Sequence, residues 1–194
     1  DRLSSMIVPN SYAVAHRFAS YFRPGKVRVI YGSVSPLDSE SSTVLQVPAG
    51  TDVRCVVVGL IREAKNQEEA ILAVAELRRM GLQPLLWIVG ATVDHQYERH
   101  LRRLVKDLEL ERFVNFAGWM DNPFPALLQA DVVLVCSRRE AFGRVAVEGM
   151  LAGKPVIGTR AGGTLELIQD GINGLLYSPG DHQDLARRIE YQHE

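Results

Sequence analysis

The chain has few cysteines and no long apolar run, and both absences narrow the class of protein. Its two cysteines, Cys55 and Cys136, lie inside apolar runs of a 194-residue sequence. This setting predicts small buried side chains in a reducing, cytoplasmic location, and neither a disulfide nor a metal site. No apolar run approaches the roughly 18 residues that span a bilayer, and the N-terminus does not resemble a signal peptide.

An excess of charge of either sign is also absent. The formal net charge of -1 supplies no bulk field for nucleic acid or for an anionic membrane, so no nucleic-acid partner is expected. Any anionic ligand must therefore be held by a local site.

Six short runs of β-branched and aliphatic residues lack polar alternation, as is typical of strands covered by helices on both faces. They lie at residues 53–58, 85–89, 114–116, 132–136, 156–158 and 175–177. Segments of helical period separate them, at 66–80, 97–108, 124–130, 143–151 and 164–168, with a last one N-capped by Asp181. This alternation predicts an α/β fold with a doubly wound, Rossmann-like parallel sheet. Asn66 and Glu69 are expected to form a capping pair at the first of these helices.

The first 50 residues differ from the rest of the chain. A strand, a helix capped by Ser11 and a second strand are predicted at 6–8, 12–22 and 27–31. A Ser-rich stretch at 35–50 has the composition of a linker. Residues 1–34 are interpreted either as an extension of the main sheet or as the remnant of a preceding domain. We adopt the second interpretation, with 51–194 as the main domain.

Ligands of doubly wound sheets bind beyond the carboxyl ends of the strands, so the loops that follow the strands are the candidate sites. After the first strand, Gly59 permits a tight turn, and Arg62 and Lys65 precede a helix, an arrangement that suits a diphosphate. The spacing is not that of a P-loop, and two solvated cations are the alternative. The Gly-rich turn at 158–163 matches a dinucleotide fingerprint only loosely, and we reject that match.

After the third strand, Trp119 and Met120 offer a flat apolar surface on which a nucleotide base could stack. The alternative is that Trp119 plugs the core above the next helix.

The segment after the fourth strand is the densest in polar signals. Glu140 lies on the loop, Gly143 opens a helix and Glu148 falls inside that helix. The first amides of a helix form an anion site with a favourable dipole. Taken singly, Glu140 is better explained as a helix cap and Glu148 as a solvated side chain.

Taken together, these segments resemble the C-terminal domain of glycosyltransferase family 4, retaining enzymes with the two-domain GT-B fold. The resemblance extends over residues 50–190, with the parts in the family's order. It is carried by GLIREAKNQEEAILAVAEL at 59–77 and by EAFGRVAVEGMLAGKPVIGTRAGG at 140–163. The second block contains the family's paired glutamates, Glu140 and Glu148.

The resemblance implies a site for a nucleoside-diphosphate sugar donor. Lys65 would neutralise the diphosphate, Glu140 would meet the transferred sugar, and Glu148 would bind the ribose hydroxyls. The backbone of residues 142–144 would hold sugar and phosphate oxygens, and Trp119 would edge the base pocket. The implied donor-binding residues are Gly59, Lys65, Trp119, Met120, Glu140, Phe142, Gly143, Arg144, Val145 and Glu148, and the implied catalytic residues are Glu140, Lys65 and Arg62.

One position departs from the family. Leu60 stands where the family usually has an arginine directly after the first glycine. Either Arg62 reaches the diphosphate in its place, or the leaving group is less well stabilised.

The implied reaction is transfer of a sugar to an acceptor hydroxyl with retention of anomeric configuration, with Glu140 in a stabilising role. No cofactor and no metal are expected, because the sequence lacks an Asp-x-Asp pair and basic groups can replace a divalent ion. The acceptor, a sugar or a lipid-linked molecule, would bind through a largely missing domain, and the parent is compatible with peripheral membrane association. The alternatives are an inactive nucleotide-sugar-binding fragment, a sugar-nucleotide epimerase of the same fold and, remotely, a Rossmann dehydrogenase.

Overall fold

A single parallel sheet organises the molecule. The computed structural model describes residues 6–21, 25–34 and 44–193. The strand order is β3-β2-β1-β4-β5-β6, and every neighbouring pair is parallel. The predicted strands and fold class are confirmed, with strand ends shifted by at most two residues. The strands are β1 Val53–Val58, β2 Pro84–Val89, β3 Val114–Gly118, β4 Val132–Val135, β5 Val156–Thr159 and β6 Leu175–Tyr177.

Helices α2 to α6 connect consecutive strands, as the periodicity predicts, while α1 precedes β1 and α7 follows β6. The helices are α1 Tyr12–Arg17, α2 Gln67–Arg79, α3 His95–Asp107, α4 Phe124–Gln129, α5 Arg144–Leu151, α6 Thr164–Leu167 and α7 His182–His193. The predicted caps Ser11 and Asp181 are confirmed, since each accepts a hydrogen bond from the amide three residues later. Within the described part of the chain, no helix has the length and apolar character needed to cross a membrane.

Two apolar cores lie on opposite faces of the sheet. Residues of α2, α3 and α7 pack on one face, and residues of α4, α5 and the end of α6 pack on the other. Adjacent residues of β1 point to different cores, with Cys55 and Val57 in the first and Val56 in the second. Burial on both faces explains why the strands read as continuous apolar runs. Both cysteines are buried, and neither forms a disulfide.

The predicted capping pair at the start of α2 is wrong. Asn66 has a left-handed backbone, with φ of 52°, and its side chain caps nothing. Glu69 is buried and accepts hydrogen bonds from the Tyr177 hydroxyl at 2.6 Å and from the Gly180 amide. The carboxylate therefore ties α2 to the end of β6, a long-range role that local spacing does not reveal.

The N-terminal segment has less regular structure than predicted. In place of the two strands at 6–8 and 27–31, one isolated bridge joins Ile7 to Val27. The helix ends at Arg17, and a 3₁₀ turn follows at Ala19–Tyr21. The remaining parts of the early predictions, at residues 1–5, 22 and 35–43, lie outside the described residues. The end of the predicted linker packs against the domain, because Leu45 is buried and its amide donates to Gln129.

The strand order reverses between β1 and β4, and this gap places the candidate site. The loops after these strands leave toward opposite faces of the sheet, which opens a crevice at the carboxyl edge. Beside it, the backbones after β1 and β2 lie so close that a Cβ on Gly90 would meet the Gly59 carbonyl oxygen at 2.0 Å. The φ of Gly90, 149°, is also one that L side chains rarely adopt.

We expect Gly90→Ala to destabilise the domain by at least about 2 kcal/mol, because the new methyl group must displace the backbone of Gly59. Urea unfolding followed by circular dichroism measures this change. Gly32→Ala is the matched control, since its added Cβ meets nothing within 4 Å. Equal unfolding midpoints for the two variants would contradict the close approach.

Candidate functional site

The loops after β1 and β4 meet through an ion pair. Lys65 ends a 3₁₀ turn, Glu63–Lys65, that follows β1, and its Nζ lies 2.8 Å from Oε2 of Glu140 in the loop after β4. The two side chains are 23% and 11% exposed, so solvent screens the pair only partly. Two residues predicted to act on the donor are therefore in direct contact in this structure.

The electrostatic surroundings keep Glu140 ionised. Burial acts to raise the pKa of this carboxyl. The charge of Lys65 and hydrogen bonds from Lys65, Ser137 and the Ala141 backbone outweigh burial and lower the pKa. Glu140 does not cap α5, because Gly143 occupies the N-cap position and no side-chain cap bond is made there. The interpretation of Glu140 as a helix cap is thus excluded.

Two glycines that sequence reasoning set aside support the Glu140 loop. A Cβ on Gly162 would lie 2.4 Å from the Glu140 carbonyl oxygen, and one on Gly163 would lie 2.4 Å from that of Ala141. The Gly163 amide also donates to the Glu140 carbonyl at 2.9 Å. The turn at 158–163 thus positions the backbone that carries Glu140. Its paired glycines were the available signal, but their partner becomes visible only in three dimensions.

The helix α5 starts directly beside this loop. Gly143 precedes it with φ of 95°, and a Cβ there would lie 3.1 Å from Leu167 Cδ1. Phe142 is buried, and Arg144 is the first helical residue. The first-turn amides of α5 therefore lie next to the Lys65–Glu140 pair, at the positive end of the helix dipole.

Glu148 is buried, not solvated. It is 8% exposed and lies one turn into α5, with Oε1 3.3 Å from the Nη2 of Arg144. Burial of a carboxylate is costly unless hydrogen bonds or a charge compensate it. Arg144 is itself 69% exposed, so solvent screens this ion pair from the arginine side.

Trp119 does not plug the core. It is 64% exposed after β3, and its indole N–H donates to Asp121 at 3.0 Å. Met120 packs against the core formed by α4, α5 and α6. The exposed indole is consistent with a stacking surface and excludes the alternative interpretation of Trp119.

The remaining predicted residues differ in how they are placed. Gly59 faces the Lys65 side chain, since a Cβ there would lie 3.6 Å from Lys65 Cδ and Cε. Val145 is half-buried against the second core. Arg62 is exposed in an extended backbone, and its guanidinium forms no ion pair within the described ranges. The structure therefore does not bring Arg62 to the ion pair.

The N-terminal segment reaches the site through residues that sequence reasoning missed. The Tyr31 ring stacks on Phe142 with centroids 5.5 Å apart. Glu166 accepts hydrogen bonds from the Tyr31 hydroxyl and from the amides of Tyr12 and Ala13 at the start of α1. No sequence pattern links residues that are more than 110 positions apart.

A six-stranded parallel sheet of this order, with helices on both faces, defines a Rossmann-like domain whose ligands bind at the strand-order reversal. The profile of the family described as "Glycosyl transferases group 1" matches residues 46–192. The chain belongs to this family.

Several relatives share long stretches with the chain. The lipopolysaccharide core biosynthesis glycosyltransferase LpsE of Rhizobium meliloti is 32% identical over 191 residues, which cover 97% of this chain and 54% of LpsE. The N-acetyl-alpha-D-glucosaminyl L-malate synthase of Bacillus anthracis is 44% identical over 125 residues, 64% of this chain and 32% of that protein. The chain thus spans about half, or less, of the length of these curated relatives.

Solved structures show the same fold. Anabaena HepE in complex with UDP superposes with a TM-score of 0.82 at 29% identity, covering 98% of this chain and 54% of HepE. HepE in complex with UDP-glucose gives a TM-score of 0.81 at 28% identity, with the same coverage.

We expect Lys65→Met to destabilise the protein by about 1–3 kcal/mol at pH 7 and by less at pH 3.5. The lowered pKa of Glu140 contributes stability above the unfolded carboxyl value of about 4.3, and this contribution is lost as the pH falls through the lowered folded value. Urea unfolding at both pH values measures the difference. Lys106→Met, at an exposed position on α3, should lack this pH dependence. If Lys65→Met lost the same free energy of unfolding at both pH values, the electrostatic coupling between Lys65 and Glu140 would be contradicted.

Proposed function

We propose that this chain is the donor-binding half of a retaining glycosyltransferase, which transfers a sugar from a nucleoside diphosphate to an acceptor hydroxyl. The observation that carries the proposal is the Lys65–Glu140 ion pair at the strand-order reversal of a family member. In the proposed full-length enzyme, residues 1–34 are the last part of the acceptor domain. Residues 35–50 form the linker, and residues 51–194 form the donor-binding domain.

In the proposed complex the donor diphosphate lies between Lys65 and the first amides of α5. A cation and a helix N-terminus are both favourable for phosphate oxygens. Glu148 accepts hydrogen bonds from the ribose hydroxyls, for which a carboxylate with two acceptor oxygens is well suited. Its low exposure supports this role, because a buried carboxylate favours a hydrogen-bonding partner. The exposed face of Trp119, beside Met120, receives the base.

Glu140 acts on the transferred sugar in this proposal. The bond from the anomeric carbon to the diphosphate breaks, and the diphosphate leaves with the electron pair. The acceptor oxygen then bonds to the same face of that carbon and passes its proton to the departing phosphate oxygen. The transition state resembles an oxocarbenium ion, which an ionised carboxylate stabilises. The lowered pKa of Glu140 supports this stabilising role.

The charge on the leaving group is balanced by the protein in our proposal. Lys65 and the α5 amides take the role that a divalent ion has in other transferases, so the reaction is metal-independent. Because the structure leaves Arg62 exposed and away from the ion pair, we assign it at most a secondary role. The two free thiols support a reducing cytoplasmic setting.

The base and the sugar are proposed by analogy. HepE is described in complex with UDP and with UDP-glucose. We therefore choose uridine nucleotides as the first donors to test. The match with LpsE covers only 54% of the length of LpsE. For this chain alone we therefore choose ligand binding, and not enzymatic turnover, as the measurement.

Two variants separate the contacts proposed for UDP. Lys65→Met should weaken both UDP and pyrophosphate binding about 10- to 100-fold, because each contains the diphosphate. Glu148→Gln should weaken UDP about tenfold and leave pyrophosphate within about twofold, because pyrophosphate has no ribose. Isothermal titration calorimetry of the four pairs measures these affinities.

Lys106→Met is the control for loss of a lysine charge, and its UDP affinity should equal that of the wild type. Equal loss of pyrophosphate and UDP affinity in Glu148→Gln would contradict the ribose assignment. Absence of UDP and UDP-sugar binding to the wild-type chain, with ADP and GDP also failing, would overturn the proposed donor site.

A further inference from the structure

A second cleft adjoins Glu140, and Lys65 is not among its lining residues. It has a volume of about 260 Å³, and α1 and the loop after β4 form its walls. We name it the arginine cleft, after the three arginines among its lining residues, which are Ala13, Val14, Arg17, Arg138, Arg139, Glu140 and Gly162. Lys65 does not line it, so it is separate from the proposed diphosphate position.

The arginine cleft carries an excess of positive charge. Within the described ranges, Arg17 and Arg139 have no carboxylate partner. Arg138 reaches only Glu63, at 3.5 Å, and both of these side chains are more than half exposed. The one acidic wall residue, Glu140, is already paired with Lys65. Solvated arginines on a surface are common, but here three converge from two separate segments on one concave site.

The walls of the cleft are held in place by backbone contacts. The Arg138 amide donates to the Ala64 carbonyl at 3.1 Å, which anchors the loop beside Lys65. Gly162 lines the cleft and is packed against the Glu140 backbone. Glu166 binds the first amides of α1, the helix whose last turn carries Arg17. Preorganised groups lose less entropy when a ligand binds.

We propose that the arginine cleft binds a phosphate or carboxylate group of the acceptor substrate, next to the hydroxyl that receives the sugar. The proposal rests on the proposed function, since it takes Glu140 as the residue that meets the transferred sugar. Glu140 is a wall of both sites, so an acceptor in the cleft lies beside the anomeric carbon. In the proposed function the donor diphosphate lies at Lys65 and the α5 amides, and Lys65 and the α5 residues do not line the arginine cleft. Guanidinium groups bind phosphate and carboxylate oxygens in bidentate geometry.

Calorimetry on this chain with saturating UDP tests the proposal, with glucose 6-phosphate, glucuronate and glucose as probes. We expect one or both anionic probes to bind at least tenfold more tightly than glucose. The probe that binds more tightly shows whether the cleft prefers a phosphate or a carboxylate. The double variant Arg17→Gln, Arg139→Gln should weaken that probe at least tenfold and leave UDP affinity unchanged. Arg103→Gln, at an 82% exposed position on α3, is the matched control and should change neither affinity.

Retained UDP binding shows that the double variant is folded and that the donor site is intact. Glucose binding as tightly as both anionic probes, or an anionic probe unaffected by the double variant, would overturn the proposal. An equal loss in Arg103→Gln would overturn it too, because the attraction would then be nonspecific. If UDP fails to bind while glucose 6-phosphate binding still depends on Arg17 and Arg139, the donor site is refuted and the cleft stands as an anion site only.

Discussion

The contact between Lys65 and Glu140 joins two loops that leave the sheet in different directions. β1 and β4 are paired in the sheet, but the helices that follow them pack on opposite faces, so the loops beyond their carboxyl ends diverge. A largely desolvated ion pair closes this gap, and the Arg138 amide bonded to Ala64 reinforces it. The start of α5, the Glu140 backbone and both proposed substrate positions depend on this junction.

Much of the fold could be predicted from the sequence because its signals are local. A continuous apolar run marks a strand buried on both faces, and an apolar stripe marks the buried face of a helix. These patterns repeat along each element, so they predict most strands and helices to within a few residues. The cap at Ser11 was equally local. A local signal also led to the wrong prediction at Asn66 and Glu69, because their spacing fits a capping pair. The Glu69 carboxylate instead accepts hydrogen bonds from Tyr177 and Gly180, which are distant in sequence.

The site was predictable in its residue types and less so in its geometry. The resemblance of 140–163 to a known family selected Glu140 and Glu148, although each alone had a simpler explanation. Whether Glu148 is buried depends on how α5 packs on the sheet, which its own neighbours do not encode. The sequence alone assigns no role in the site to Gly162, Tyr31 or Glu166. Their partners are distant in sequence, so no local pattern links them to the site. Arg62 was chosen for its charge, and charge alone does not say where a long side chain points.

The attachment of α1 to Glu166 has a consequence for substrate exchange. Three hydrogen bonds, two of them exposed, join the N-terminal segment to Glu166 in α6. Water can replace such bonds at little cost, whereas the sheet and its two cores stay intact. We expect this attachment to open more readily than the sheet. Opening would move Arg17 away from Glu140, so that a charged product could leave without any strand having to separate.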